Sequence, residues 1–242
     1  MTTRVALLRY PGTWSERDFA HAFSLVPDVE TEILWHEDAT DLSRFDAAIV
    51  PGGFSYGDYL RAGAIAKLSP ATKALRRFAE DGRPVLGSCN GFQILCEAGL
   101  LPGALLRNAS LEYRCEWIHV RVEREDTPWT RGLAGEVLRM PIGHGEGCFV
   151  ADADTLAEIE SEGRVVFRYV DAKGAATLEA NPNGAMANIA GVCNPAGNVV
   201  GLMPHPERCA EELLGGTDGY RVLANVTRML VGTGPALYRG KD

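Results

Sequence analysis

The segment Pro84-Val85-Leu86-Gly87-Ser88-Cys89-Asn90-Gly91-Phe92-Gln93 constrains this chain more than any other. It reads as a short apolar strand that enters a Gly-x-Cys-x-Gly turn and leaves as a helix. The same alternation runs through the first hundred residues. Strand-like runs at 5–10, 29–35 and 46–50 are interleaved with helical spacing at 16–25, 60–67 and 70–80. Ser15 is a candidate N-cap, and Phe19, Ala22, Phe23 and Val26 fall on one helical face. Strands separated by helices imply a parallel sheet with right-handed crossovers. Ligands of such sheets bind at the carboxyl ends of the strands. Both Pro51-Gly52-Gly53 and Cys89 lie at such ends.

After residue 100 the pattern changes. Strands are expected at 117–123, 137–142 and 165–170, without strong helices between them. Those at 189–193 and 198–203 flank Asn194-Pro195-Ala196-Gly197, a hairpin signal. A closing helix is expected over 220–230, followed by a loosely ordered Gly/Pro-rich tail at 232–242. The expected fold is α/β: a central, mostly parallel sheet flanked by helices, with an added mostly-β section in the C-terminal half. All 242 residues are read as one domain.

A formal net charge of -8 argues against a nucleic-acid groove and a basic membrane face. No apolar run approaches the roughly 20 residues of a membrane helix. Met1-Thr2-Thr3-Arg4-Val5 leads straight into the first strand with no leader pattern, so a cytoplasmic protein is expected. The cysteines at 89, 96, 115, 148, 193 and 209 include no Cys-x-x-Cys pair and no zinc-finger spacing. Neither a disulfide framework nor a structural metal site is expected.

Cys89 alone fits two readings, a small buried residue or a nucleophile on a strained turn facing free helix N–H groups. A cysteine nucleophile needs a base and a group that orients the base. His205 ends the apolar run Val199-Val200-Gly201-Leu202-Met203-Pro204, at a strand mouth, and Pro206 restrains it from the other side. Glu207 could accept its second ring N–H. In isolation His205 could equally cap a strand; beside a cysteine elbow the catalytic reading takes precedence. His144, in Gly143-His144-Gly145-Glu146-Gly147, sits either in a ligand-approaching loop or in a plain turn between strands. His21, His36 and His119 fall inside helix or strand patterns and read as structural or surface residues, and Glu112 and Arg114 as a salt bridge or a partner contact.

These residues resemble the class I (triad) glutamine amidotransferases, through Gly87-Ser88-Cys89-Asn90-Gly91-Phe92-Gln93 and His205-Pro206-Glu207. More narrowly, the chain is similar to the glutaminase subunits of phosphoribosylformylglycinamidine synthases. That match rests on residues 51–63 (Pro-Gly-Gly-Phe-Ser-Tyr-Gly-Asp-Tyr-Leu-Arg-Ala-Gly), on His144-Gly145-Glu146-Gly147 and on Met203-Pro204-His205-Pro206-Glu207-Arg208. The resemblance implies a flavodoxin-like fold with Cys89 as nucleophile, His205 as general base and acid, and Glu207 as its orienting carboxylate. It implies an oxyanion hole from the N–H groups of Gly53 and Asn90, and a glutamine pocket from Gln93, Gly143, His144 and Gly145. L-glutamine is the implied substrate. The implied partners are a large synthetase subunit, on which ATP and Mg are expected, and a small third subunit. This chain has no Gly-x-x-x-x-Gly-Lys-Ser/Thr phosphate loop, and no cofactor of its own is expected. One departure stands out: the family start is Pro-Gly-(Ser/Thr)-Asn before Cys-Asp, whereas Pro11-Gly12-Thr13 here runs into Trp14-Ser15-Glu16. Weaker alternatives are a cysteine or serine hydrolase, an inactive docking scaffold, and a glutaminase serving pyridoxal phosphate or histidine synthesis.

Overall fold

A strand without a polar face belongs in the middle of a sheet covered on both sides. Ala47–Val50 and Val85–Ser88 are buried at every position, and they occupy the centre of the architecture. The structure is a computed structural model, and it describes residues 2–227. In chain order the elements are β1 (Thr3–Arg9), α1 (Glu16–Ser24), β2 (Val29–Trp35), β3 (Ala47–Val50), α2 (Pro70–Glu80), β4 (Val85–Ser88) and α3 (Asn90–Glu97). There follow β5 (Ala104–Leu106), β6 (Arg114–Val122), β7 (Val137–His144), β8 (Cys148–Val150), α4 (Ala153–Ser161), β9 (Val165–Val170), β10 (Ile189–Cys193), β11 (Val199–Leu202) and α5 (Asp218–Leu223).

Nine strands form one sheet in the order β2-β1-β3-β4-β11-β10-β9-β6-β7, and β5 and β8 pair separately. The pairings from β2 through β11 are parallel, and those from β11 through β7 are antiparallel. The C-terminal β section therefore extends the parallel half edge to edge, by way of the β10–β11 hairpin expected around Asn194 and Gly197. The register that matters most is β4 against β11, which runs parallel from Val85↔Val199 to Ser88↔Leu202. It sets the residues following both strands side by side, across more than a hundred positions of sequence. Phe92 of α3 lies flat on this seam because Gly201 has no Cβ to obstruct it, and it stacks on Phe149 at 6.0 Å.

Four local expectations are corrected. Residues 60–67 form turns leading into a short 3-10 segment, Ala66–Leu68, rather than a helix. Leu60 takes φ 71° and is 93% exposed, and Gly63 packs so closely on α3 that a Cβ there would lie within 2.9 Å of the α3 backbone, where a regular helix has no room. α4 was not expected, since Ile159 is its only buried side chain and apolar periodicity is nearly absent. Its signal is the N-cap: the Asp152 carboxylate accepts the Thr155 N–H at 2.8 Å. Ser15 does precede α1, but its hydroxyl accepts the Gly52 N–H at 2.8 Å instead of capping its own helix. The closing helix starts at Asp218, and α5 ends at Leu223. The end of that helix expected at Leu230, and the tail at 232–242, lie outside the described residues. Among the described residues no helix is long and apolar enough to cross a membrane.

Candidate active site

The elbow is strained as its sequence implied. Cys89 adopts φ 52°, ψ -109°, a conformation that costs a non-glycine residue about 1–3 kcal/mol and persists only where the surroundings enforce it. The enforcement is visible. The Cys89 N–H donates to the Leu202 carbonyl at 2.8 Å, and the Ser88 hydroxyl donates to the Pro204 carbonyl at 3.1 Å. A Cβ on Gly87 would lie 2.7 Å from the Gly91 backbone, and one on Gly91 would run into the Val50 carbonyl. Both glycines of the motif therefore serve close packing. The first bond of α3 is Gln93 N–H to the Cys89 carbonyl at 3.2 Å, so the N–H groups of Asn90, Gly91 and Phe92 precede the helical ladder.

Because β11 pairs with β4, His205 arrives beside Cys89. Its Nδ1 bonds Glu207 Oε1 at 2.6 Å. A carboxylate only accepts, so Nδ1 carries the proton and Nε2 is the nitrogen available to the thiol. His205 and Glu207 are each 1% exposed. Burial alone would pull this imidazole down, but the Glu207 carboxylate and the Cys89 sulfur beside it push it up to about 10. Gly52 makes the seat: a Cβ there would stand 2.8 Å from His205 Cε1 and 3.5 Å from Cys89 Cβ. Four of the other thiols are buried away from any base. Burial pushes those of Cys96, Cys148, Cys193 and Cys209 up, which leaves them unreactive. Among the described residues no group of three or more His, Cys, Asp or Glu side chains could hold a metal ion.

Gly53 and Asn90 flank the nucleophile. Gly53, at φ 154°, pairs with Thr13 in an isolated antiparallel bridge whose bonds are Trp14 N–H to Gly52 O at 3.2 Å and Phe54 N–H to Gly12 O at 2.9 Å. Those two bonds leave the Gly53 N–H unused within the bridge. The divergent Trp14 loop is thus the buttress of the Gly53 turn. Trp14 stacks on Phe54 at 6.2 Å, and the Arg208 guanidinium covers its ring at 4.5 Å.

A cavity of about 160 Å³ opens onto Cys89, with Gly53, Gln93, Gly143, His144 and Gly145 in its wall. A larger hollow of about 380 Å³, lined by Arg114, Trp117 and Asp171 among others, contains none of the expected site residues, so the chemistry selects the smaller one. The Gly143 carbonyl receives the Cys89 thiol at 3.7 Å. Gln93 donates to the Glu146 carbonyl at 2.6 Å and accepts from Asn90 Nδ2 at 2.8 Å, which ties the glycine loop to α3. Burial holds His144 neutral, down to about 3, with the nearby His205 charge adding to the effect.

Four cavity or supporting residues had no expected role. Asn108, fully buried, donates to the carbonyls of Glu112 (2.8 Å) and His144 (2.9 Å), and its Oδ1 accepts the Gly147 N–H (3.0 Å). It staples the turn bearing Tyr113 to the glycine loop. The Tyr113 hydroxyl lies 3.1 Å from where a Gly143 Cβ would be, roofing the cavity. Asp58 and Glu146 complete the wall. Burial, then the Glu146 charge, pushes the Asp58 carboxyl up to about 6 against the pull of the Asn90 amide. Asp58 and Glu146 both fell inside segments that carried the family resemblance; nothing in the sequence marked Asn108.

Comparison with known proteins identifies the family. Residues 2–216 match the CobB/CobQ-like glutamine amidotransferase domain. The chain is 58% identical over 224 residues to phosphoribosylformylglycinamidine synthase subunit PurQ of Thermomicrobium roseum, covering 92% of this chain and 94% of that one. It is 53% identical to the Koribacter versatilis subunit PurQ, covering 92% and 96%. It superposes on a chain of the PurLQS structure from Thermotoga maritima with TM-score 0.84 at 42% identity, covering 95% of this chain and all of that one. A glutamine amidotransferase of Thermotoga maritima, 17% identical with TM-score 0.59 over 96% of this chain and all of that one, shares the fold. The chain belongs to the CobB/CobQ-like glutamine amidotransferases and, within them, to the PurQ subunits of phosphoribosylformylglycinamidine synthase.

Proposed function

We propose that this chain is the glutaminase subunit of a phosphoribosylformylglycinamidine synthase, hydrolysing L-glutamine to glutamate and delivering the ammonia to a partner synthetase in purine biosynthesis. The observation that carries the reading is the elbow cysteine with a buried imidazole beside it, held at Nδ1 by Glu207 at 2.6 Å. His205 Nε2 holds the proton that Cys89 gives up, and the sulfur attacks the side-chain amide carbon of glutamine as the thiolate. The oxyanion then faces the N–H groups of Gly53 and Asn90, each worth about 3 kcal/mol of barrier at comparable sites. His205 returns the proton to the departing nitrogen, and ammonia leaves behind a γ-glutamyl thioester on Cys89. The imidazole then takes a proton from water, the hydroxide adds to the thioester, and glutamate and the free thiol are released. A cavity of about 160 Å³ suits a side-chain amide and not an extended peptide, which disfavours the protease alternative.

The partners in this reading are a large synthetase subunit that converts formylglycinamide ribonucleotide to its amidine, and a small third subunit. ATP and Mg belong to the synthetase, this chain carries no cofactor, and the assembly works in the cytoplasm. Exposed apolar side chains around the cavity mouth support docking there: Phe54 and Tyr113 line it, while Tyr59, Leu60 and Leu111 stand out from the same two loops. The test is Cys89→Ala in the assembled complex. Glutamine-dependent amidation should vanish while ammonia-dependent amidation persists; retained glutamine use would refute the assignment.

A further inference from the structure

The cavity wall opposite the expected chemistry has an uncompensated charge pattern. Asp58 and Glu146 both line it, and no Lys or Arg does. Asp58 receives one hydrogen bond, from Asn90 Nδ2 at 3.3 Å, and makes no ion pair among the described residues. The nearest cation to Glu146 is Arg107, which stands 3.8 Å off and is itself largely exposed. The histidine of the wall, His144, is neutral, and its Nε2 is buried with no hydrogen-bond partner. Two carboxylates facing one small cavity repel each other, and either a proton on one of them or a cation between them relieves the repulsion; the cation is favoured once both are ionised. Bringing in a neutral ligand would leave that cost in place.

Their placement relative to Cys89 is set by α3. Asn90 holds Asp58, Gln93 holds the Glu146 backbone, and Gln93 stands four residues beyond the nucleophile, an axial rise of about 6 Å. That is the span of a substrate whose amide carbon meets the sulfur and whose amino-acid head lies two methylenes away. We propose that Asp58 and Glu146 form a paired-carboxylate subsite that reads the α-ammonium group, making this cavity selective for amides bearing a free amino-acid head. The inference rests on the reading of Cys89 as a glutaminase nucleophile, and it adds residues to the substrate pocket without changing the chemistry.

The test separates recognition from reactivity by alkylating Cys89 in the full chain with three reagents. 6-Diazo-5-oxo-L-norleucine carries the ammonium, its N-acetyl derivative lacks it, and iodoacetamide is small and neutral. Asp58→Asn suits the position because asparagine tolerates the φ of 53° found there. Asp58→Asn and Glu146→Gln should each slow labelling by the free amino acid about 10-fold or more, and the N-acetyl and iodoacetamide rates should stay within about twofold. Unchanged labelling by the amino-acid reagent in both variants overturns the proposal. So does an equal loss with all three reagents in both variants, which would mark the pair as structural support for the elbow. If one variant misfolds, the other decides. Glutamine turnover by Cys89→Ala would refute the proposed function instead, and it is read in a different experiment.

Discussion

Gly52→Ala is the sharpest probe of the site, because the structure states what the added methyl meets. Gly52 does not have a left-handed φ, so the backbone itself can accept alanine. Its Cβ would stand 2.8 Å from His205 Cε1, 3.3 Å from the Ser15 hydroxyl and 3.5 Å from Cys89 Cβ. Ordinary carbon contacts begin near 3.5 Å, so the imidazole must yield by about 0.7 Å. It cannot do so freely, since Glu207 holds Nδ1 at 2.6 Å and the backbone of His205 is pinned to the Pro141 carbonyl at 2.9 Å. A displacement approaching 1 Å in a catalytic group costs on the order of 100-fold, while overpacking costs about 1–3 kcal/mol of stability. The assay is glutamate release from glutamine alongside ammonia-dependent amidation in the assembled complex, with urea denaturation of the isolated chain. Glutamine turnover should fall ~100-fold while ammonia-dependent amidation holds. Wild-type glutamine turnover in a stably folded Gly52→Ala would show that the imidazole is not seated against this glycine, and the geometric argument for the site would fail.

Three further outcomes follow from particular contacts. Cys89→Gly removes the nucleophile but also the strain at φ 52°, so it should raise the melting temperature by about 2–4 °C if roughly 1 kcal/mol is released; a lower melting temperature would contradict the strain. The folded-state pKa of His205 is raised to about 10, so its ion pair with Glu207 stabilises the fold fully below about pH 6.5 and is lost as pH rises through 10. The stability advantage of wild type over Glu207→Gln, measured by urea denaturation, should therefore shrink from pH 6 to pH 10; a constant difference would contradict the pairing. Asn108→Ala strands the carbonyls of Glu112 and His144 and the Gly147 N–H in the interior, which should cost about 3 kcal/mol and raise KM for glutamine; a stability loss with KM unchanged would separate the staple from the pocket.

Much of the parallel half was legible because its signals are local. β2 and α2 fall on residues 29–35 and 70–80 as expected, since β-branched and apolar runs, Pro70 at a helix start and Ser69 before it report directly on backbone preference. The false helix at 60–67 shows the limit. Its apolar residues have helical spacing, but Tyr59 and Leu60 point outward beside the cavity mouth, so their apolar character does not reflect a buried helix face. α4 failed in the opposite sense: it is a nearly all-exposed helix with little periodicity to read.

Composition and pattern along the chain settled which side chains could do chemistry here, because a Gly-x-Cys-x-Gly elbow and a proline-braced His-Pro-Glu are properties of a few consecutive residues. Which of them meet was decided by the tertiary structure alone. The parallel pairing of β4 with β11 closes a loop of more than a hundred residues to bring His205 to Cys89, and Asn108 brings the Tyr113 turn onto the glycine loop. The facing of Asp58 by Glu146 arises in the same way, from loops that follow different strands. Local sequence encodes backbone preference and burial, whereas these meetings depend on non-local strand pairing and packing, whose outcome no short window of residues contains.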